Sequence, residues 1–351
     1  MPSFRNMSWS RVRLWASVVI VMVASGPSVF AWNDAGHMVV ARIAWLRLSA
    51  DQRAKVGELL KQHPHYHSYL THQCPPDVSK EEWAFLRAAT WADYIRPPKG
   101  LSREELMTHE RHKFHRGTWH YVNFPYRAGQ QESNLPREPL PNETNILMQI
   151  DTSVNVLRGK IENDPGAEPG LSADANKAVR LCWLFHLIGD LHQPLHAAAL
   201  VDEKLFPEPP HGDQGGNLLA IRPDSAAAPM RLHWYWDGLL TQDSGLANVS
   251  RWADDLTHDP NLTDSKLPEF AQHQQVRQWA AESYQHAKTS VYRDGNFPLV
   301  RWVDIENQSV ASSKVPAVPP SDAAKSLTLA RRRVTLAGYR LADSVASVFD
   351  R

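Results

Sequence analysis

Apolar residues recur at roughly the 3.6-residue interval of an α-helix through seven stretches of this chain: 35–48, 52–61, 82–95, 144–158, 174–191, 268–291 and 326–349. Residues so spaced must bury one stripe of each helix against another helix, so the chain is limited to a mostly helical architecture. Pro97 and Pro98 end the third stretch, and Pro194 ends or kinks the fifth, because proline lacks the amide hydrogen that a helix needs. Segments 124–142 and 202–216, rich in Pro, Gly and charge, read as loops. Short extended pieces fit at 119–122 and 217–221. No repeat, low-complexity tract or linker divides the chain, and its 351 residues can bury a substantial core. The prediction is one mainly α, multi-helix domain with a few short strands.

The first thirty-one residues read differently. Arg5, Arg11 and Arg13 precede an apolar run from Leu14 to about Ala24, and short side chains stand at Val29 and Ala31. A basic start, a short apolar stretch and small residues before the cut make residues 1–31 a secretory leader, without the paired arginines of the folded-protein route. Cleavage after Ala31 leaves a domain at 32–351, exported to the periplasm or the medium, that begins with Trp32 and has no membrane span. Losing three arginines from 38 basic groups leaves 35 against 38 acidic ones, a formal −3. Such a chain has no global attraction for duplex DNA, so any affinity for phosphate must be local.

Seventeen histidines beside only two cysteines point to nitrogen-and-oxygen metal sites rather than thiolate sites. Cys74 and Cys182 could pair in an oxidising compartment but cannot form a disulfide framework. The densest signal is the run from Cys182 to His196. His186 and Asp190 stand four residues apart on a helix, so their Cβ atoms lie about 5–6 Å apart on one face. His196 follows the Pro194 break and can turn to the same place from another direction. The spacing repeats at His233 and Asp237. One such pair can be a solvated helical hydrogen bond; two, with His196 beside the first, point to metal binding.

Three further pieces are open from the residues alone. Asp93, between Ala92 and Tyr94 at the end of an apolar helix, either caps a network or ligates an ion, because a carboxylate buried alone is costly. His120, between Trp119 and Tyr121, has the same ambiguity. His37 is either a packed helix-start histidine or a ligand beside the new N-terminus, whose amine has a pKa near about 7.7–8 and can bind metal once deprotonated. His63, His65, His67 and His72 read as a surface loop, and His192 as a residue that supports the ligands from behind or simply packs.

Taken in order, Trp32 with His37, Trp91-Ala92-Asp93, Trp119-His120-Tyr121, the block from His186 to His196, Asp213-Gln214-Gly215-Gly216-Asn217 and His233 to Asp237 resemble the three-zinc, single-strand-specific nucleases of moulds, plants and bacteria, the nuclease S-one/P-one family. These share a fold with the zinc-dependent bacterial phospholipases C. The resemblance implies three zinc ions. One would be held by Asp93, His120, His186 and Asp190. A second would take the Trp32 amine and carbonyl, His37 and the bridging Asp190; the third, His196, His233 and Asp237. It also implies a catalytic part for Asp93 and Asp190. Arg96 would contact the phosphate in the transition state, unless it is a solvent-exposed helix cap. Tyr121 would stack on a base and Asn123 bond its edge. Asn123 stands where the family often has Asp, and an amide donates as well as accepts, which puts base preference in doubt. Asn217 is either a substrate contact or a turn residue.

The activity so implied is hydrolysis of single-stranded DNA and RNA to 5′-nucleotides, with 3′-nucleotides as further substrates, by a monomer needing no stable protein partner. A zinc phospholipase C would use the same metals on a lipid phosphate. A non-catalytic periplasmic zinc-binding protein would share the ligands but have no use for Arg96.

Overall fold

Asn33 starts the first helix by accepting a hydrogen bond from the Gly36 amide at 3.0 Å, leading into α1, Asp34–Arg47. Ser49 and Gln52 form a reciprocal capping box that starts α2, Ala50–Leu60. The computed structural model describes residues 32–98, 100–129, 135–140 and 144–350; the leader expected at 1–31 lies outside them. The remaining helices are α3 Lys80–Ala88, α4 Trp91–Tyr94, α5 Arg103–Thr108, α6 Ile146–Leu157, α7 Ala173–Leu191, α8 Leu232–Asp237, α9 Leu246–Thr257, α10 Pro268–Gln272, α11 Val276–His286, α12 Trp302–Glu306 and α13 Pro320–Phe349. The expected mainly helical, single-domain fold is what the structure has.

Helix α7 is the axis of the core. Every residue from Ala178 to Leu191 is buried, so it reads as apolar all round rather than amphipathic. Helix α1 is nearly as deep, with α13 and α9 packed along it, while α6 packs on α7. Among the described residues there are two small sheets. Strand β1, Phe124–Tyr126, runs parallel to β2, Ala198–Leu200, with Phe124 opposite Ala198. Strand β3, Ala220–Ile221, pairs antiparallel with β4, Met230–Arg231.

Several local expectations need correction. Stretch 82–95 is two helices, because Thr90 Oγ1 donates back to Arg87 O and the Ala89 carbonyl is taken by His186 instead of the next turn. Stretch 268–291 divides into α10, α11 and a π-helical turn, Ala287–Val291. Segment 119–122 is extended only from Tyr121: its start closes a 3-10 turn, Gly117–His120, and the strand begins at Phe124, inside a segment read as loop. The histidines at 63–72 divide: His67 and His72 are exposed, as a surface loop has them, while His63 and His65 turn inward. His63 is 3% exposed and packs edge-on against Trp91, with a π-helical turn at Tyr66–Leu70 beside it. Cys74 and Cys182 are free; Cys182 faces the core on α7, and Cys74 donates to the carbonyls of Pro75 and Val78. No helix among the described residues is long and apolar enough to cross a membrane.

Candidate metal centre

Helices α1, α4, α7 and α8, with the turns before β1 and β2, bring the predicted histidines and carboxylates to one buried place. Asp190 is its centre, fully buried on the last turn of α7. Its Oδ2 lies 2.9 Å from His120 Nδ1 and 3.2 Å from His186 Nε2, and those two nitrogens are 3.0 Å apart. Its Oδ1 faces the other way, 3.1 Å from His37 Nε2. Asp93 approaches His186 Nε2 at 3.7 Å. A third group joins His196, His233 and Asp237, with the two Nε2 atoms 3.1 Å apart and Asp237 Oδ1 3.6 Å from His233.

The hydrogen bonds behind these rings fix which nitrogen carries the proton. His186 Nδ1 meets Ala89 O at 2.8 Å, His196 Nδ1 meets His120 O at 2.6 Å, and His233 Nδ1 meets Gly215 O at 2.6 Å. A carbonyl only accepts, so each Nδ1 donates and each neutral ring turns an Nε2 lone pair inward. In the third group two lone pairs thus face each other at 3.1 Å. Such an arrangement is repulsive by itself and becomes favourable around a cation. Ligand atoms at about 2 Å from a tetrahedral zinc ion lie about 3.3 Å from one another, close to the separations seen here. The donor set is nitrogen and carboxylate oxygen, which suits zinc. His37 Nδ1, Asp93 Oδ2 and Asp237 Oδ2 are buried without a hydrogen-bond partner, a cost of a few kcal/mol each that a divalent ion would offset for the oxygens.

Electrostatics say the same. Burial pushes the Asp190 carboxyl up to about 7 and the Asp237 carboxyl well above the usual range. Burial also holds the His37, His120 and His186 imidazoles below theirs. Each group therefore resists its charged form in the bare protein, and a bound cation reverses that for the carboxylates. Arg96 supplies part of the missing charge: its Nη2 lies 2.7 Å from Asp93 Oδ1 and 3.2 Å from His120 Nδ1. Its side chain is 11% exposed, which removes the solvent-exposed cap reading. Only Asp93 and Asp237, 8% and 5% exposed, keep more than a trace of solvent contact, so the cluster opens on their side.

Trp32 is fully buried, with its Cβ against Gly36, and the following Asn33 amide donates to Asp237 O at 3.2 Å. Tyr121 and Asn123 are half-buried, next to His120, and their carbonyls accept from the Ile146 and Leu140 amides. Asn217 is fully buried; its side-chain amide donates to Gln214 O at 2.9 Å, which serves the turn, and its Oδ1 has no hydrogen-bond partner. Two residues of the site escaped the sequence reading. Gln193 donates to Asp237 Oδ1 at 2.9 Å and accepts from the Leu195 amide. Ala89 contributes only a carbonyl, which no side-chain pattern can reveal.

The family model described as S1/P1 Nuclease matches residues 32–350. Among curated proteins of Arabidopsis thaliana, Endonuclease 3 is 23% identical over 68% of this chain and 64% of its own length. Endonuclease 5 is 25% identical over 67% and 64%, and Endonuclease 1 is 24% identical over 73% and 69%. The chain thus spans 64% of the length of the first of these relatives.

Proposed function

The chain belongs to the S1/P1 nuclease family, and from that membership and the three convergent donor groups we propose an exported, zinc-dependent endonuclease that cleaves single-stranded DNA and RNA to 5′-nucleotides and also hydrolyses 3′-nucleotides. The observation that carries the reading is the inward aim of three histidine lone pairs, each ring fixed by a carbonyl behind it, toward carboxylates that each keep a buried oxygen without a hydrogen-bond partner. Asp93, His120, His186 and Asp190 would hold one zinc ion. His37 and the second oxygen of Asp190, with the Trp32 amine and carbonyl, would hold another, and His196, His233 and Asp237 a third. Export and cleavage after Ala31 belong to the same proposal, supported by a family match that begins at Trp32.

Zinc bound there supplies Lewis acidity and a water acidic enough to deprotonate near neutral pH. Asp93, on the solvent side of the cluster, accepts a hydrogen bond from the attacking water and holds it in line with the bond to be broken. Attack at phosphorus breaks the P–O3′ bond; the phosphate stays on the 5′ side and O3′ leaves with a proton. Arg96, already directed at Asp93, donates to the phosphoryl oxygens as their charge grows. Tyr121 stacks on one base, which every base permits. Asn123 both donates and accepts, so it bonds a base edge without the strong preference of a carboxylate. A duplex keeps its bases stacked away from such residues, whereas a single strand can turn one out.

The direct test is release of acid-soluble nucleotides from single-stranded DNA by protein beginning at Trp32, with an EDTA-treated control restored by zinc. Zinc-dependent release with 5′-phosphate ends supports the proposal. No release, with hydrolysis of a phospholipid headgroup instead, would move the chain to the lipid substrate; no turnover of either would leave zinc binding alone.

A further inference from the structure

Asp213 is a fully buried carboxylate outside the three donor groups. Two donors hold it, the Leu200 amide at 2.9 Å and the Tyr292 hydroxyl at 2.7 Å, and the amides of Gly215 and Gly216 face it. Tyr292 is itself buried and stacks on Tyr126. The loop that follows Asp213 is wound left-handed, with φ of 55° at Gln214, 60° at Gly215 and 79° at Gly216. A Cβ on Gly215 would sit 2.4 Å from Leu195 O, so glycine is required there.

The winding turns two successive carbonyls toward His233. Gly215 O accepts from its Nδ1 at 2.6 Å and Gly216 O from its main-chain amide at 3.4 Å. The carbonyl of Gly215 and the amide of Gly216 belong to one peptide unit. An acceptor oxygen facing that amide polarises the unit, strengthens the carbonyl as an acceptor, and makes the far imidazole nitrogen a better donor to a metal. Asp213 also fixes the neighbouring histidine. Its main-chain amide bonds Leu200 O at 2.9 Å, so side chain and main chain together clamp the end of β2, a strand that starts two residues after His196.

Resting on the three-zinc reading above, we infer that Asp213, braced by Tyr292, is a positioning residue that acts through the Gly215–Gly216 peptide to orient His233, sets its spacing from His196, and thereby fixes the zinc affinity of the His196–His233–Asp237 group alone. The carboxylate touches neither substrate nor metal. Replacing it by an amide of the same shape places an NH2 group against the Leu200 amide or the Tyr292 hydroxyl and removes one acceptor oxygen from the loop.

The test uses the full mature protein and the variants Asp213→Asn and Tyr292→Phe. Zinc is titrated into each metal-free protein against a competing chromophoric chelator, and the cobalt(II)-loaded forms are read by visible absorption. The parent should show three sites. Asp213→Asn should leave two unchanged and weaken the third by about 10–100-fold, with a displaced cobalt band. Tyr292→Phe should weaken the same site less, and it carries the test by the same criterion if the first variant does not fold. An unchanged third site, or equal weakening of all three, overturns the inference. A parent that binds no zinc would instead overturn the three-zinc reading, with the relay falling as a consequence.

Discussion

Asp190 can serve two groups because its two oxygens point apart, Oδ2 toward His120 and His186 and Oδ1 toward His37. Arg96 is the residue whose role differs most between the readings, since zinc storage has no use for a guanidinium at Asp93 and phosphoryl transfer does. Arg96→Ala should keep its zinc and lose about 10²–10³-fold in kcat with little change in KM, the usual consequence of losing one donor to developing charge. Metal content and steady-state kinetics on the same preparation decide it; unchanged kcat would remove Arg96 from the chemistry. Trp32 gives a second prediction at this scale. Its main chain lies next to Asp237 through the Asn33 amide. A protein carrying one extra Met ahead of Trp32 should be zinc-deficient and nearly inactive, because the amine becomes an amide with no lone pair to give. Full activity in that protein would sink the proposed role of the amine.

Helix α7 carries two of the donors, and its last turn is held from behind. Ser283 Oγ donates to Leu191 O and Arg333 Nε to His192 O, so carbonyls left over at the helix end find buried partners, one of them cationic. Glu282 pairs with both Arg333 and Arg340, tying α11 and α13 to that turn, and Arg340 reaches His192 Nε2 at 2.8 Å. His192 is thus buried behind the ligand-bearing turn, bonded to Ile188 O and Arg340. Gly189 sits on the same turn, where a Cβ would meet His37 Nδ1 at 2.7 Å. Gly189→Ala should therefore displace the His37 ring, cost about 1–3 kcal/mol of stability, and remove the metal shared with Asp190 Oδ1 before the others. Calorimetry and zinc stoichiometry together check this, and an alanine variant with three zinc ions and parental stability would contradict the assignment of His37.

At the scale of the molecule, the donors come from elements far apart in sequence, so bound metal ties α1, α4, α7 and α8 together. Chelation should lower the melting temperature, and zinc should restore it by mass action, in proportion to the logarithm of its free concentration above the dissociation constant. A melting temperature indifferent to EDTA would argue against resident metal. A separate pH effect lies away from the centre. Burial first, then Arg333, lowers the His286 imidazole to about 4. Between that value and the ordinary 6.5 the unfolded chain binds the proton and the folded one does not, so this stability is present above 6.5 and lost as pH falls toward 4. His286→Gln should flatten the fall by roughly 2–3 kcal/mol, measured as the difference in denaturant unfolding between parent and variant from pH 7.5 to 4.5. Equal slopes would show that His286 does not titrate so.

The sequence by itself determined the helices with a buried stripe, α1, α2, α6, α7 and α13, since apolar spacing reports burial directly. It passed over α5, which buries nothing and is announced only by the Ser102–Glu105 capping box, and α9, although Val249, Trp252, Ala253 and Leu256 keep the helical interval there. It likewise determined that His186 meets Asp190 and His233 meets Asp237, because histidine and carboxylate at four-residue spacing must share a helix face, whereas His37, Asp93 and His120 were open until the fold brought them in. Tertiary structure alone decided how they meet: which imidazole nitrogen faces inward, that Asp190 divides its oxygens, and that Arg96 turns to Asp93. Those outcomes depend on carbonyls such as Ala89 O, His120 O and Gly215 O. Every residue has a carbonyl, so no pattern of side chains records where the fold will place one.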